Sequence, residues 1–441
     1  MPSVQPPSGF RDFINEDAKR RLELIHQISS VYQSFGFLPL ETPVVENLEL
    51  LLGGGGGEEN EKLIFKILKR GEKLTEALAT GDENQIAEFG LRFDLTLPLT
   101  RAVALHRSQI KMPWKVFHIG PVWRAERAQK GRFREFIQCD VDVIGAKGVA
   151  AEIEVIQALV EAIRQVGASG FELRINDRRL IQKMGEVFGF TGKSLESFAI
   201  IMDKKDKIPD QEILDQLKAL TAGVMHPDLP AWVSGEFSLT QAAQFHAEAA
   251  QELSTIISTL KDLELPLTQI IYDPSLVRGM GYYTGPVFEL RHSTAGYSFG
   301  GGGRYDRLIG RWSGQDIPAC GFSLGFERLA LLLAEKEKEQ QVESPVLFIP
   351  VFDESLRARV CRLALSLRRL GLTVDVYPDQ AKIKNQFKFA SDRKYRWVLI
   401  AGEDEWRSGC FKLKDFGSGQ EKPLEEAQLI EELKKVFHLN A

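Results

Sequence analysis

Apolar residues recur at helical spacing over 16–35, which predicts an amphipathic helix near the start of the chain. An extended segment with two prolines follows at 37–45, and such a segment suits an edge strand. The alternating runs at 114–119 and 136–144 predict two strands. Because a charged, glycine-containing stretch at 124–135 joins them, we expect an antiparallel hairpin with a long loop.

The pattern turns helical after this hairpin. Residues 149–166 and most of 178–262 carry apolar residues at helical spacing, and the second stretch is expected to be an inserted helical module. Short apolar runs of the strand type lie before and after these helices, and a last helix is expected around 326–338. These predicted strands are 91–96, 269–272 and 282–291.

The pattern changes again after a charged stretch at 335–341, which has the composition of a solvated linker. Beyond it, strand and helix patterns alternate. These segments are a strand at 346–351, a helix at 356–370, a strand at 374–376, a helix at 382–391 and a strand at 397–400. Such alternation predicts a compact α/β domain with a mostly parallel sheet.

Composition narrows the class of protein. The 441 residues are 44% hydrophobic and 27% charged, as in ordinary globular proteins, and their number suggests roughly two to four domains. A net charge of −5 excludes a protein that coats nucleic acid indiscriminately but allows a local basic patch. Four cysteines without paired spacing predict no disulfide frame and no zinc site. With no export signal and no apolar run of membrane-spanning length, we expect a cytoplasmic protein without a membrane partner.

Phosphate-binding chemistry is indicated by the hairpin loop, whose cations are Arg124, Arg127, Lys130, Arg132 and Arg134. Guanidinium groups bind phosphate bidentately, although the same composition also fits a solvated loop. The glycine clusters around Arg278 and at 300–303 fit either close approach of the backbone to a ligand or simple turns. The run Gly53 to Gly57 is expected to be a flexible surface loop, because no Lys-Ser or Lys-Thr follows it.

In their order and their residues, these motifs resemble those of the histidyl-tRNA synthetase family of class II aminoacyl-tRNA synthetases. Residues 36–49 are similar to motif 1, 116–145 to motif 2 and 319–333 to motif 3. Residues 276–289 and 302–306 resemble the two segments peculiar to the histidine-specific branch. Several motifs in the family's order are far more specific than any one of them.

The resemblance implies an α+β fold, with an antiparallel-sheet catalytic domain, a helical insertion and a C-terminal α/β anticodon-binding domain. The implied boundaries are 1–170 and 263–335 for the two parts of the catalytic domain, 171–262 for the insertion and 345–441 for the anticodon-binding domain. It also implies the substrates L-histidine, ATP with Mg²⁺ and tRNA(His), and a homodimer formed through motif 1. Metal ligands in the chain stay open.

Roles for single residues follow from the matching positions. Arg124 and Arg278 are the implied catalytic cations at the α-phosphate and the reacting carboxylate. The implied ATP-binding residues are Arg124, Arg132, Phe136 and Arg328, where Phe136 and Arg328 cover the two faces of adenine. The implied histidine-binding residues are Asp94, Thr96 and Gln138 for the α-ammonium group, Asp142 and Tyr283 for the imidazole, and Tyr282 and Arg278 beside them. Gly281 and Asp142 depart from the aspartate and glutamate that are common at these places.

The resemblance also covers the C-terminal part, where a basic patch is expected to contact tRNA through Lys382, Lys384, Lys388, Arg393, Lys394 and Arg396. A non-catalytic alternative is a synthetase-like regulatory subunit of ATP phosphoribosyltransferase. A subunit of that kind is expected to lack the anticodon-binding domain and to lose the motif 2 arginines, and this sequence retains both.

Overall fold

The computed structural model describes residues 4–53, 61–82, 85–127, 131–202, 204–205, 208–221, 223–277, 281–294, 297–337 and 344–437. The chain divides into two compact units, Met1–Glu335 and Lys336–Ala441. Several positions singled out in the sequence lie outside the described residues: Gly54 to Gly57, Lys130 and Arg278. Among the residues that are described, no helix has the length and apolar character needed to cross a lipid bilayer.

An antiparallel sheet organises the first unit. Its described strands are β1 Leu38–Pro39, β2 Val45–Asn47, β3 Lys66–Leu68, β4 Ala87–Leu91, β5 Trp114–Trp123, β6 Glu135–Ile144, β7 Phe171–Asp177, β8 Gln269–Tyr272, β9 Pro286–His292, β10 Ser298–Arg304 and β11 Ala319–Gly325. Within the described residues, eight of them form one sheet in the order β1-β5-β6-β11-β10-β9-β7-β8, and only the two edge pairings are parallel. The β5–β6 hairpin is antiparallel, which confirms the predicted hairpin.

The helices of the first unit, in chain order, are α1 Asn15–Ser34, α2 Leu48–Leu52, α3 Glu72–Ala79, α4 Thr96–Leu105, α5 Ala150–Gln165, α6 Arg178–Val187, α7 Lys193–Met202, α8 Asp210–Leu220, α9 Leu229–Ser234, α10 Leu239–Ala242, α11 Ala247–Asp262, α12 Gly310–Ser313 and α13 Phe326–Glu337. The apolar sides of α1 and α5 pack on one face of the large sheet. Their side chains there include Ile28 and Leu159, which share a core with Cys139 and Val141 of β6. The opposite face of the sheet carries the cavity that is described in the next subsection.

Two local predictions differ from the structure. The run 91–96 is not a strand, since β4 ends at Leu91 and α4 begins at Thr96. Asp94 accepts a hydrogen bond from the Leu97 amide (3.2 Å), so it satisfies a free N–H group in the first turn of that helix. Residues 171–177, which the resemblance places in the helical insertion, form strand β7, because their apolar side chains are buried against the sheet.

The glycines at 300–303 form part of strand β10 and not a turn. This strand lies between β9 and β11, and its neighbours come too close for side chains. A Cβ atom at Gly302 would stand only 2.1 Å from the carbonyl oxygen of Gly321. The glycines therefore allow the close approach of two backbones within the sheet, which the sequence analysis did not predict.

The second unit is a mixed sheet covered by helices. Its strands are β12 Ser344–Ile349, β13 Thr373–Val376, β14 Tyr395–Ile400, β15 Cys410–Asp415 and β16 Glu421–Glu425, and its helices are a short 3₁₀ turn at Glu354–Leu356, α14 Arg357–Arg369, α15 Ile383–Asp392, α16 Glu403–Ser408 and α17 Glu426–Val436. The order is β13-β12-β14-β15-β16. The first three strands are parallel, but β15 and β16 add an antiparallel hairpin. The prediction of a mostly parallel sheet was therefore wrong for this C-terminal hairpin.

Candidate active site

A cavity of about 820 Å³ opens on the face of the large sheet that the core helices leave free. Its lining includes every described residue that the sequence predicts for binding histidine or ATP: Asp94, Thr96, Arg124, Arg132, Phe136, Gln138, Asp142, Tyr282, Tyr283 and Arg328. The fold thus brings together side chains from the loop between β5 and β6, from β6, α4 and α13, and from the segments before α4 and β9. Arg278 lies outside the described residues.

Strand β6 forms the centre of the cavity floor. Side chains alternate along a strand, so Cys139 and Val141 enter the apolar core while Gln138, Asp140 and Asp142 line the cavity. Asp140 is a functional candidate that the resemblance did not supply. The alternation of 136–144 was already visible in the sequence, and it places Asp140 on the same face as its two polar neighbours.

Asp142 is held from two sides. The Tyr305 hydroxyl donates a hydrogen bond to Asp142 Oδ1 (2.5 Å), and Gly321 leaves room for the same oxygen, since a Cβ atom there would lie 1.7 Å from it. Burial raises the pKa of Asp142 to about 7, partly offset by the Tyr305 hydrogen bond. Tyr305 lies in the segment 302–306 but received no role from the sequence, because its partner is 163 positions away.

Two adjacent tyrosines stand near Asp142. The Tyr282 hydroxyl donates to the Tyr283 hydroxyl (3.3 Å), and their ring centroids are 4.4 Å apart. Burial raises the pKa of Tyr282 to about 12, and burial likewise raises that of Tyr283. Both hydroxyls are therefore neutral at physiological pH, and each can donate or accept a hydrogen bond to a polar ligand.

Acceptor groups for a small cation surround the start of α4. Burial raises the pKa of Asp94 to about 6, while the Leu97 amide and the charge of Arg124 act in the opposite direction. Gln138 donates through Nε2 to Ser323 Oγ (2.6 Å). Among the described residues, Gln138 Oε1 and Asp140 Oδ1 are buried acceptors without a hydrogen-bond partner. Such acceptors match the three N–H donors of an ammonium group.

Guanidinium groups surround another part of the cavity. Arg124 Nε donates to the carbonyl oxygen of Phe93 (3.1 Å), and its guanidinium carbon lies 5.0 Å from the ring centroid of Phe136. Arg328 donates to the carbonyl oxygen of Ser298, with its guanidinium carbon 5.0 Å from the Tyr297 ring. Arg132 also lines the cavity and is exposed. These groups can bind phosphate or cover an aromatic ring.

Two arginines near the start of the chain stabilise this region. Sequence periodicity does not predict their contacts. Arg11 and Arg21 both donate to the buried carboxylate of Glu327, at 2.9 and 2.7 Å. The guanidinium carbon of Arg11 also lies 3.3 Å from the ring centroid of Phe133 in the hairpin loop. Because Glu327 directly precedes Arg328 on α13, the first residues connect the loop to the helix that carries this arginine.

The chemistry of the cavity follows from its charges. The carboxylates of Asp94, Asp140 and Asp142 share it with several guanidinium groups. Phe136 and Asp142 are six residues apart on β6, or roughly 20 Å, which is long enough for an amino acid and a nucleotide placed end to end. Among the described residues, no group of three histidine, cysteine, aspartate or glutamate side chains could hold a metal ion.

Comparisons with known proteins agree with this geometry. A sequence model described as histidyl-tRNA synthetase matches residues 9–329, and one described as an anticodon binding domain matches 345–436. The histidine–tRNA ligase of Christiangramia forsetii is 34% identical, covering 96% of this chain and 97% of that protein. The corresponding ligase of Leifsonia xyli is 40% identical, over 75% and 80% of the two chains. The crystal structure of histidyl-tRNA synthetase from Nostoc sp. PCC 7120 has a TM-score of 0.83 at 25% identity and covers 98% of this chain and 99% of that one.

Proposed function

The chain belongs to the histidyl-tRNA synthetase family, and we propose that it is a histidine–tRNA ligase. In the first step, L-histidine and ATP give histidyl-adenylate and pyrophosphate. In the second step, histidine is transferred to the 3′-terminal ribose of tRNA(His). The observation that carries the proposal is the single cavity in which buried acceptors for an ammonium and an imidazole group lie beside guanidinium groups suited to phosphate.

Histidine is recognised by its two polar ends. Asp94, Thr96 and Gln138 hold the α-ammonium group with oxygen acceptors. Asp142 and Tyr283, with Tyr282 beside them, form hydrogen bonds with the imidazole nitrogens, one of which donates while the other accepts. This arrangement selects histidine, because a different side chain leaves buried polar groups of the pocket without partners.

ATP is held by the guanidinium groups. Arg124 binds the α-phosphate, and Arg132 extends toward the distal phosphates from the hairpin loop. The adenine ring lies between Phe136 and Arg328, whose cation interacts with the face of the ring. Mg²⁺ enters as part of the substrate, because it favours phosphate oxygens and water together with one or two carboxylates over a complete protein site.

The reaction needs positioning and charge stabilisation, with no protein nucleophile. A carboxylate oxygen of histidine attacks the α-phosphorus of ATP, the bond from phosphorus to the bridging oxygen breaks, and pyrophosphate leaves. Arg124 and Arg278 stabilise the negative charge that develops on the phosphate oxygens. The ribose hydroxyl of tRNA then attacks the carbonyl carbon of the adenylate, the proton leaves the hydroxyl, and AMP departs.

The second unit supplies the surface for tRNA. Lys382, Lys384, Lys388, Arg393 and Lys394 are exposed, whereas Arg396 is paired with Asp415 (3.1 Å). Exposed cations release counterions when they bind phosphates, so tRNA affinity is expected to fall steeply with salt in spite of the net charge of −5.

A homodimer in the cytoplasm is the proposed working form. In the motif 1 segment, Leu38 is 57% exposed, Val44 40% and Val45 39%. An adjacent group of exposed apolar side chains suits contact with a second copy of the chain. Light scattering that gives a mass near twice 49.6 kDa at micromolar concentration would support this; a monomer at that concentration would contradict it.

The decisive experiment is pyrophosphate exchange into ATP with each amino acid supplied in turn. Stimulation by histidine alone is the expected result, and it would distinguish the ligase from the regulatory-subunit alternative. A chain that shows no exchange with any amino acid, although it binds histidine, would support the regulatory subunit. Exchange with a different amino acid would contradict the proposed substrate.

A further inference from the structure

One carboxylate joins the two walls that are proposed to cover the faces of adenine. Glu327 directly precedes Arg328 on α13. Its Oε1 accepts a hydrogen bond from the amide of Ile137 (3.4 Å), and Ile137 directly follows Phe136 on β6. The Glu327 side chain is 6% exposed and belongs to the cavity lining. Because this side chain connects the backbone beside one wall to the residue beside the other, its position determines the distance between the two walls.

Two arginines from the start of the chain fix this carboxylate. Arg21 donates from Nη1 to Glu327 Oε2 and from Nη2 to Oε1, both at 2.7 Å, and Arg11 donates from Nη2 to Oε2 (2.9 Å). A bidentate pair restrains the orientation of a carboxylate as well as its position. The guanidinium carbon of Arg21 also lies 3.8 Å from the ring centroid of Phe13 and 4.9 Å from that of Phe326. With both of its oxygens bound, the carboxylate cannot turn without losing these hydrogen bonds.

The first residues of the chain also contact the hairpin loop. The guanidinium carbon of Arg11 lies 3.3 Å from the ring centroid of Phe133. The carbonyl oxygen of Gly9 accepts a hydrogen bond from the amide of Arg134 (2.9 Å). These two contacts hold the loop directly after Arg132, the cation that is proposed to extend toward the distal phosphates.

We propose that Glu327, Arg21 and Arg11 are positioning residues of the ATP site. Glu327 sets the separation of the two adenine walls, Arg21 holds Glu327, and Arg11 holds both Glu327 and the hairpin loop. This inference rests on the proposed function, since the adenine walls and the cation for the distal phosphates belong to it. The sequence motifs gave none of these three residues a role.

Arg21→Met tests the separation of the adenine walls. Methionine preserves the apolar packing of the arginine stem and removes the bidentate pair, so the position of Glu327 is no longer fixed. Because ATP and AMP share the adenine ring, we expect calorimetry to give a Kd that is roughly 10-fold higher for both nucleotides and unchanged for histidine. Lys19→Met, which removes an exposed cation from the same helix, is the control and should leave all three affinities unchanged.

Arg11→Met tests the contact with the hairpin loop. Without the contact between Arg11 and Phe133, the loop no longer holds Arg132 toward the distal phosphates, which AMP lacks. The Kd for ATP should therefore rise roughly 10-fold more than the Kd for AMP, whereas the ratio of the two stays constant in Arg21→Met. An equal rise for both nucleotides in Arg11→Met would contradict the role of this residue on the loop.

Phe133→Leu isolates the loop contact, because it leaves the ion pairs of Glu327 in place. We expect this variant to bind ATP more weakly and AMP nearly as well as the wild type. Combined with Arg11→Met, the same change should add little to the loss of ATP affinity, since the two side chains act through one contact. Strictly additive losses would show that Arg11 and Phe133 act independently and would contradict the proposal.

The outcome for histidine distinguishes positioning from a general structural role. Equal weakening of ATP, AMP and histidine in Arg21→Met would overturn the proposal, and so would nucleotide affinities equal to those of the wild type. Thermal unfolding reports whether each variant is folded. If Arg21→Met does not fold, Arg21→Lys carries the same test, because a lysine retains a cation beside Glu327 but cannot form the bidentate pair, and it should raise the Kd of both nucleotides by a smaller factor.

The two proposals fail in different ways. If the wild-type chain binds no ATP and shows no histidine-dependent pyrophosphate exchange, the proposed function is wrong. If the wild-type chain shows this exchange and the folded variants bind both nucleotides as tightly as it does, only the positioning roles are wrong.

Discussion

Tyr305 and Asp142, 163 positions apart in the chain, meet in a hydrogen bond of 2.5 Å at the floor of the cavity. The tyrosine occupies Asp142 Oδ1, which directs the remaining carboxylate oxygen to a ligand. We expect Tyr305→Phe to raise the KM for histidine in pyrophosphate exchange by roughly 10-fold, with little change in the KM for ATP. Tyr272→Phe, which alters a tyrosine of the same unit that does not line the cavity, is the control and should leave the histidine KM unchanged. Equal effects on both substrates would argue against a role in imidazole recognition.

Arg278 is expected to act as a fixed cation at the reacting carboxylate and phosphate. Arg278→Ala should therefore reduce histidine-dependent exchange by at least 100-fold, since it removes charge stabilisation in the transition state. Thermal unfolding should change little. Arg307→Ala, a substitution outside the described cavity lining, provides a matched loss of positive charge. Exchange at the wild-type rate in Arg278→Ala would remove this residue from the mechanism.

The pKa of Asp94 predicts a pH-dependent stability. Burial raises the pKa of Asp94 from 3.8 to about 6, so the folded protein favours the neutral carboxyl group. The stability that this preference adds is fully present below pH 4 and is lost as the pH rises through 6. Asp94→Asn keeps the acceptor for the Leu97 amide and cannot ionise. Without ligands, the variant should be more stable than wild type at pH 8 by ~1–3 kcal/mol and nearly equal at pH 4. Urea unfolding at the two pH values measures the difference, and an equal difference at both would contradict the shift.

Strand patterns on the large sheet could be predicted where polar and apolar residues alternate. The alternation at 136–144 gave the hairpin and also contained Asp140. Alternation failed at 91–96, where Leu91, Phe93 and Leu95 alternate with polar residues although β4 ends at Leu91 and α4 begins at Thr96. Alternation also failed to predict the strand at Gly300 to Gly303, because glycines have no side chains and cannot alternate between polar and apolar.

Contacts between distant residues could not be predicted from periodicity. The pairing of Arg11 and Arg21 with Glu327 joins positions more than 300 apart, and no local pattern marks these partners. The roles of Arg124 and Asp142 were available from the resemblance, since motif order fixes them. Ser323 received no role from the motifs, and its hydrogen bond with Gln138 (2.6 Å) forms only once β6 and β11 pair in the sheet.

A buried ion pair beneath the site predicts a large loss of stability. Glu152 of α5 accepts two hydrogen bonds from Arg304 of β10, at 2.6 and 2.8 Å, and both side chains are nearly inaccessible. Glu152→Ala leaves the buried Arg304 guanidinium to the more distant carboxylate of Asp306 (3.3 Å) and should cost ~3–5 kcal/mol of unfolding free energy. Glu161→Ala removes an exposed pair with Arg164 on the same helix and should have little effect. Denaturant unfolding compares the two, and similar losses would contradict the assignment.

The second unit contains a partly exposed aromatic cluster next to basic side chains. Phe352 is 40% exposed, and its ring centroid lies 6.4 Å from that of Phe387, which lies 5.9 Å from that of Phe416. The Gln386 side chain accepts from the Val351 amide and donates to the Val351 carbonyl, both at 2.8 Å. This double hydrogen bond fixes the start of α15 to the loop that carries Phe352.

Exposed aromatic rings beside lysines suit unpaired RNA bases, which stack on them while their phosphates contact the cations. Phe352→Ala should therefore lower kcat/KM for tRNA in aminoacylation by roughly 10-fold, since stacking contributes about 1–3 kcal/mol per base. Histidine-dependent pyrophosphate exchange, which involves no tRNA, should stay at the wild-type rate. Leu365→Ala, which removes another exposed apolar side chain of this unit, is the control and should preserve both activities. A parallel loss of exchange and aminoacylation in Phe352→Ala would indicate damage to the enzyme as a whole and not the loss of a tRNA contact.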